Sequence, residues 1–138
     1  MNWFSWSLLS AFFAGLTAIL AKVGVEGVNS SLATAIRTGV ILAFASLVVW
    51  HQKAGSVETV TARAWLFLIL SGLATGASWL CYFRALQLGN ASQVAPIDKL
   101  SVVVAMALAA MFLGETLKWS HWLGGALIVS GAVIIARS

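Results

Sequence analysis

The stretch Ser92–Trp119, SQVAPIDKLSVVVAMALAAMFLGETLKW, decides how the chain is read. It holds the only proline, Pro96, and then an acid and a base side by side, Asp98 and Lys99. No residue from Leu100 to Gly114 is charged, and Glu115 closes the run. An apolar run of that length predicts a helix, and one too greasy for an aqueous surface. Ser101, Ala105 and Ala109 recur at i, i+4 spacing, which puts small side chains on one face where another helix could come close. The rest of the chain is expected to pack around this helix.

Composition carries the same reading to the whole chain. Of 138 residues, 61% are hydrophobic and 9% charged, against roughly 25% charged in a soluble domain. The expectation is an integral membrane protein with the lipid bilayer as its main surroundings. Eight Lys/Arg against four Asp/Glu give a net charge of +4. They form no basic run, so no nucleic-acid partner is expected. Cys81 is the only cysteine, which allows neither an internal disulfide nor a metal cluster and reads as a space-filling residue. No cofactor is expected.

Spans of about 20 residues are needed to cross a bilayer, and five fit: Trp3–Val23, Leu32–Trp50, Ala64–Leu86, Val94–Leu113 and Trp119–Ala136. The fold class is therefore all-α, a polytopic bundle of five transmembrane helices in one domain over residues 1–138. Connections are short, so consecutive helices are expected to be antiparallel neighbours. The first span lacks a basic residue before its apolar run and a small-x-small cleavage site after it, and reads as an uncleaved helix rather than a signal peptide. Trp3, Trp6, Trp50, Trp65, Trp119 and Trp122 fall at predicted helix ends, where an indole buries its ring and keeps its N–H wet. Trp79 is deep in the third span. It reads either as packing or, with Tyr82 and Phe83 three and four residues on, as the aromatic wall of a binding cavity. Gly72 and Gly76 in the same span permit close helix contact. Gly89 reads as a C-terminal helix cap, Ser92 as an N-cap, and Pro96 as a first-turn residue of the fourth helix.

Reversal of direction at each turn brings Lys22, Glu26, Arg37, Arg84, Asp98 and Lys99 to one membrane face. A charge below the headgroups costs several kcal/mol unless it is paired, snorkels or meets water. Arg84 and Asp98 flank a tight hairpin at similar depth and read as a partly buried ion pair. The alternative is that each long side chain snorkels separately. The functional version is a polar vestibule for a charged or zwitterionic solute. Orientation is not fixed: a cytoplasmic N-terminus puts Lys53, Arg63 and Lys118 inside, while Lys22, Arg37, Arg84, Lys99 and Arg137 lie toward the other side. Either the embedded residues do not count, or the chain inserts both ways round.

Catalysis has little support. His51 and His121 stand at helix ends with no acid three or four residues away. No span combines Ser and His with an acid or holds two acids, and no Gly-rich phosphate loop is present.

The segment Cys81–Trp119 resembles the EamA-type repeat of the drug/metabolite transporter superfamily. The resemblance lies in Tyr82-Phe83-Arg84-Ala85-Leu86, in Ala91-Ser92 and Pro96, and in Leu113-Gly114-Glu115, with the proline-to-glutamate spacing kept. Gly124-Gly125-Ala126-Leu127-Ile128-Val129-Ser130-Gly131 follows, similar to the family's last helix. The N-terminal half agrees only in general pattern. Most members of that superfamily carry two such repeats in opposite orientation, and one repeat of five spans is similar to its single-repeat bacterial/archaeal group of small inner-membrane proteins. The resemblance implies transport of a small-molecule solute or drug. Gly124 and Gly131 also resemble the glycine pair in the dimerising last helix of small multidrug resistance proteins. Those proteins hold a proton-binding glutamate in the first helix, where this chain reads Phe12-Phe13-Ala14-Gly15.

These readings converge on a secondary transporter of small metabolites or drugs in the inner membrane, working as a homodimer with an antiparallel arrangement open to it. Trp79, Tyr82, Arg84, Asp98, Lys99 and Arg37 are the candidate solute-binding residues. Gly72, Gly76, Pro96, Glu115, Gly124 and Gly131 are the candidate structural and interface residues. The competing reading is a membrane subunit that does not itself transport and assembles with or regulates another protein.

Overall fold

The structure is a computed structural model that describes residues 2–55 and 57–137; Met1, Ser56, Ser138 and the Glu58 side chain lie outside the described residues. Among the described residues there are helices and no strands. In chain order they are α1 (Trp3–Gly24), α2 (Ser30–Gln52), α3 (Ala62–Leu88), α4 (Ala91–Asp98), α5 (Ser101–Phe112) and α6 (Trp119–Ala136), with a 3₁₀ turn at Val57–Thr59 before α3. With Ala91–Phe112 taken as one span, five helical segments are long and apolar enough to cross a membrane.

Local chemistry fixes where the helices start. A helix leaves its first four N–H groups unpaired, and a short polar side chain ahead of it supplies an acceptor. Asn2 Oδ1 takes the Ser5 N–H at 3.0 Å. Asn29 Oδ1 takes those of Ser31 at 2.9 Å and Leu32 at 3.3 Å. Thr61 Oγ1 takes that of Ala64 at 3.3 Å. At α6 the roles reverse, because the His121 ring Nδ1 accepts the Lys118 N–H at 2.9 Å. His121 thus caps the last helix. Trp3, Trp50 and Trp119 are exposed at helix ends, as interfacial anchors should be.

The chain forms two compact units. One comprises residues 23–87, which hold the last residues of α1, then α2 and nearly all of α3. Its buried residues, Val25, Thr34, Phe83 and Leu86, all come from one end of the unit. Gln87 ties that end shut. Its Nε2 donates to the carbonyls of Val28 at 2.6 Å and Val25 at 3.3 Å. The turn between α1 and α2, where Gly27 takes φ +72°, is thereby fixed to the C-terminal end of α3.

The other unit comprises residues 1–22 and 88–138. In it α6 packs against α4 and α5. Gly125 lies 3.6 Å from Val103 and 3.7 Å from Met106, measured from where its Cβ would stand. Gly125 and Ala132, two turns apart on one face of α6, are both buried. At the end of α1, Lys22 Nζ donates to the Gly89 carbonyl at 3.0 Å, just before α4 begins.

Several expectations need correction here. The fourth span is not one helix over Val94–Leu113: it is broken at Lys99–Leu100. Pro96 is the sixth residue of α4, not a first-turn residue, because α4 begins at Ala91 with Asn90 in the N-cap position in place of Ser92. Proline inside a helix supplies no N–H and crowds the preceding turn. The chain answers by tightening: Lys99 N–H reaches Pro96 O at 3.2 Å, Leu100 N–H reaches Ile97 O at 3.0 Å, and Val102 N–H reaches Lys99 O at 3.0 Å. These i→i+3 bonds end α4 and restart the chain as α5. Gly89 is not among the residues of positive φ; that conformation falls to Gly114, φ +67°, just past α5. Nor does the chain bury this span. Neither α4 nor α5 holds a buried residue. The face that meets α6 carries Val103 and Met106, while Ser101 and Ala105 are exposed. The small partner in that contact is Gly125 on α6, so α5 needs no small face there.

Candidate functional site

Charge inside a bilayer is the sharpest constraint on this chain, so the candidate site is built from Arg37. It is the eighth residue of α2, about 10 Å along the helix from its start at 1.5 Å per residue. On α3, Trp79 lies about 13 Å before the last residue, Leu88, by the same rise. Antiparallel passage of the two helices brings these depths together. The Arg37 Cζ stands 4.4 Å from the centre of the Trp79 ring and 5.5 Å from that of Phe83. Phe83 is buried, and Trp79 and Arg37 are half-buried. Tyr82, three residues after Trp79 on α3, is half-buried.

Magnitudes say what this arrangement achieves. An arginine at the centre of a span costs about 2.5–3.5 kcal/mol by insertion scales, and less at the depth of Arg37, which is nearer the start of its helix. A cation over an aromatic face returns about 0.5–2 kcal/mol, most with Trp. The two rings therefore hold the guanidinium in place without fully satisfying it. Neither ring offers an oxygen to the five N–H donors. Among the described residues, Arg37 has no hydrogen-bonded acceptor and no carboxylate partner.

The other candidates separate. Arg84 is exposed and donates from Nη1 to Gln87 Oε1 at 3.1 Å, one turn along the same helix. Asp98 pairs with its neighbour Lys99, Oδ2 to Nζ, at 3.2 Å. Arg84 and Asp98, expected as a pair, fall in different units, and each has a partner within its own. The reason is local: i, i+3 spacing on α3 and direct adjacency at the α4 break put those partners within reach before any distant one. The Asp98–Lys99 pair is largely exposed, so it is worth little in stability. Glu115 is exposed after Gly114, its N–H bonded to Ala109 O at 3.3 Å. A Cβ built on Gly72, Gly76, Gly124 or Gly131 meets nothing within 4 Å. Sequence reasoning singled out Arg37 and Trp79 separately and did not join them. It missed Gln87 altogether, although a lone amide near the end of an apolar helix was the available signal.

Five apolar spans, with a cation held among aromatic rings inside them, are those of a multi-pass membrane protein. The chain belongs to the EamA-like transporter family, whose profile matches residues 1–137. It is 52% identical over 140 residues to an uncharacterized transporter in the cobO 3' region of Sinorhizobium sp, covering 98% of this chain and 96% of that one. It is 32% identical over 110 residues to the probable 4-amino-4-deoxy-L-arabinose-phosphoundecaprenol flippase subunit ArnE of Pseudomonas aeruginosa, covering 78% and 94% respectively. An uncharacterized protein of Methanocaldococcus jannaschii matches at 26% identity over 131 residues, covering 95% and 93%. No solved structure matches.

Proposed function

We propose that the whole chain, residues 1–138, acts as one EamA-like transmembrane domain and as half of a secondary transporter in the inner membrane, two copies forming the working unit. The observation that carries this reading is the Arg37–Trp79–Phe83 cluster. An incompletely satisfied cation inside a span has a cost that folding alone gives no reason to keep, and an intramembrane ionisable residue marks a solute path by default. Tyr82, on the same stretch of α3, belongs to the same site; Arg84 lies near the end of α3, and Asp98 and Lys99 lie at the end of α4. Support for two copies comes from α6. Its Gly125–Ala132 face is buried within the chain, whereas Gly124 and Gly131, turned about 100° from it, have open space.

The test is metabolite profiling, inside and outside the cell, of a strain lacking the chain. The strain is complemented with wild type, Arg37→Ala or Trp79→Ala at matched protein levels. At least one solute should shift its partition in the deletion, return with wild type, and fail to return with either variant. A profile unchanged by the deletion removes the transport reading.

A second reading is favoured by a specific observation: one relative is named as a flippase subunit. On that reading the chain assembles with a different membrane protein and does not transport by itself. Affinity purification in mild detergent separates the two. Recovery of the chain alone, at twice its monomer mass, supports the first; a second membrane protein in equal amount supports the other.

A further inference from the structure

We infer that Arg37 is the docking point for an oxyanion, so that the solute or lipid handled by this chain carries a phosphate or carboxylate group. The inference rests on the transport reading above and adds the chemical class of what is recognised. Three observations carry it. Trp79 and Phe83 hold the guanidinium from its ring contacts, at 4.4 and 5.5 Å, and so fix its position without using its N–H donors. Among the described residues no acid or carbonyl satisfies those donors. The acids of this unit whose side chains are described reduce to Glu26, which is exposed in the turn between α1 and α2, more than a helical turn outside the depth of Arg37. A cation with a planar donor fork, pinned by rings and left without a carboxylate, matches the two-oxygen geometry of a phosphate or carboxylate. A cationic solute would meet repulsion there, and a neutral one would leave the charge uncompensated. The low dielectric around a spanning helix strengthens the preference for an anion.

The experiment uses the full-length protein in lipid nanodiscs of zwitterionic phosphatidylcholine, with binding read from tryptophan fluorescence and from the thermal unfolding midpoint. The probes are inorganic phosphate, dodecyl phosphate and, as the uncharged control, dodecanol. Saturable binding of a phosphate probe is expected, with no matching response to dodecanol. Arg37→Gln should weaken it about tenfold or more, the equivalent of losing a charge-assisted hydrogen bond. Arg37→Lys should retain part of it. Trp79→Phe should keep affinity close to wild type and Trp79→Ala should not, since only the first preserves a ring under the cation. Binding of inorganic phosphate alone at comparable affinity identifies a water-soluble anion; binding of dodecyl phosphate only identifies an amphiphile entering from the bilayer. Either result supports the inference. Absence of saturable binding by both phosphates, or equal binding by Arg37→Gln in a protein that unfolds at the wild-type midpoint, overturns it. Failure here leaves the transport reading intact if Arg37→Ala still blocks a neutral or cationic solute in cells. Phosphate binding without any Arg37-dependent change in the metabolite profile keeps the anion site and removes the transport role.

Discussion

Gln87 shows how one amide sets local geometry in a chain with few polar side chains. It accepts from Arg84 and donates to the Val25 and Val28 carbonyls. An unmade hydrogen bond to a part-buried carbonyl costs about 1–3 kcal/mol. Gln87→Leu is therefore expected to lower the unfolding midpoint in detergent by that order, with secondary structure retained. A midpoint equal to wild type would show that water replaces the amide. The same residues mark the limit of what the sequence discloses. Arg37 was legible as an embedded charge and Trp79 as a misplaced tryptophan, because each breaks a compositional rule. Their contact was not legible, since it depends on which rung of α2 meets which rung of α3. That register is set by the crossing of two helices, and no residue spacing within either one reports it. The local partners of Arg84 and Asp98 were missed for a related reason. Matching depths said nothing of the nearer partners that Gln87 and Lys99 supply.

At the scale of elements, the spans were legible and their internal breaks only in part. Long apolar runs and flanking tryptophans bounded five spans, and the observed helices extend those bounds by no more than a few residues. Pro96 signalled a disturbance, but its site moved because α4 starts earlier than the run of apolar residues does. Pro96→Ala restores the missing N–H and removes the crowding of the preceding turn. The expected result is slower amide exchange at Lys99 and Leu100, as α4 and α5 join into one helix. Unchanged exchange there would assign the break to the Asp98-Lys99 sequence instead. On α6, the contact of Gly125 with Val103 and Met106 leaves room for a methyl group at ordinary van der Waals distance. Gly125→Ala should be near neutral. Gly125→Leu forces the side chain into α5 and should destabilise by about 1–3 kcal/mol, measured as a drop in the unfolding midpoint.

For the whole molecule, the expected outcome of five spans is that the two termini lie on opposite sides of the membrane, so reporter fusions at each end should report opposite compartments. On the proposed two-copy reading, the arrangement of the copies is argued from symmetry and charge. One repeat provides half of the inverted pair that secondary transporters place around a midplane site. Two copies in opposite orientation would recreate that pair. Lys53, Arg63 and Lys118 on one side are balanced by the basic residues toward the other, so loop charge does not forbid insertion both ways round. Gly124 and Gly131 give the last helices a small surface for contact in lipid, and Gly124→Leu with Gly131→Leu should abolish the dimer without lowering the monomer's unfolding midpoint. A parallel dimer would use the same glycines, so orientation needs its own measurement. A single cysteine at Ser56, between α2 and α3 and outside the described residues, with Cys81 replaced, provides it. In intact cells an impermeant thiol reagent should label about half the molecules if both orientations occur. Labelling near zero or near completion means one orientation, and leaves a parallel dimer or assembly with a different chain.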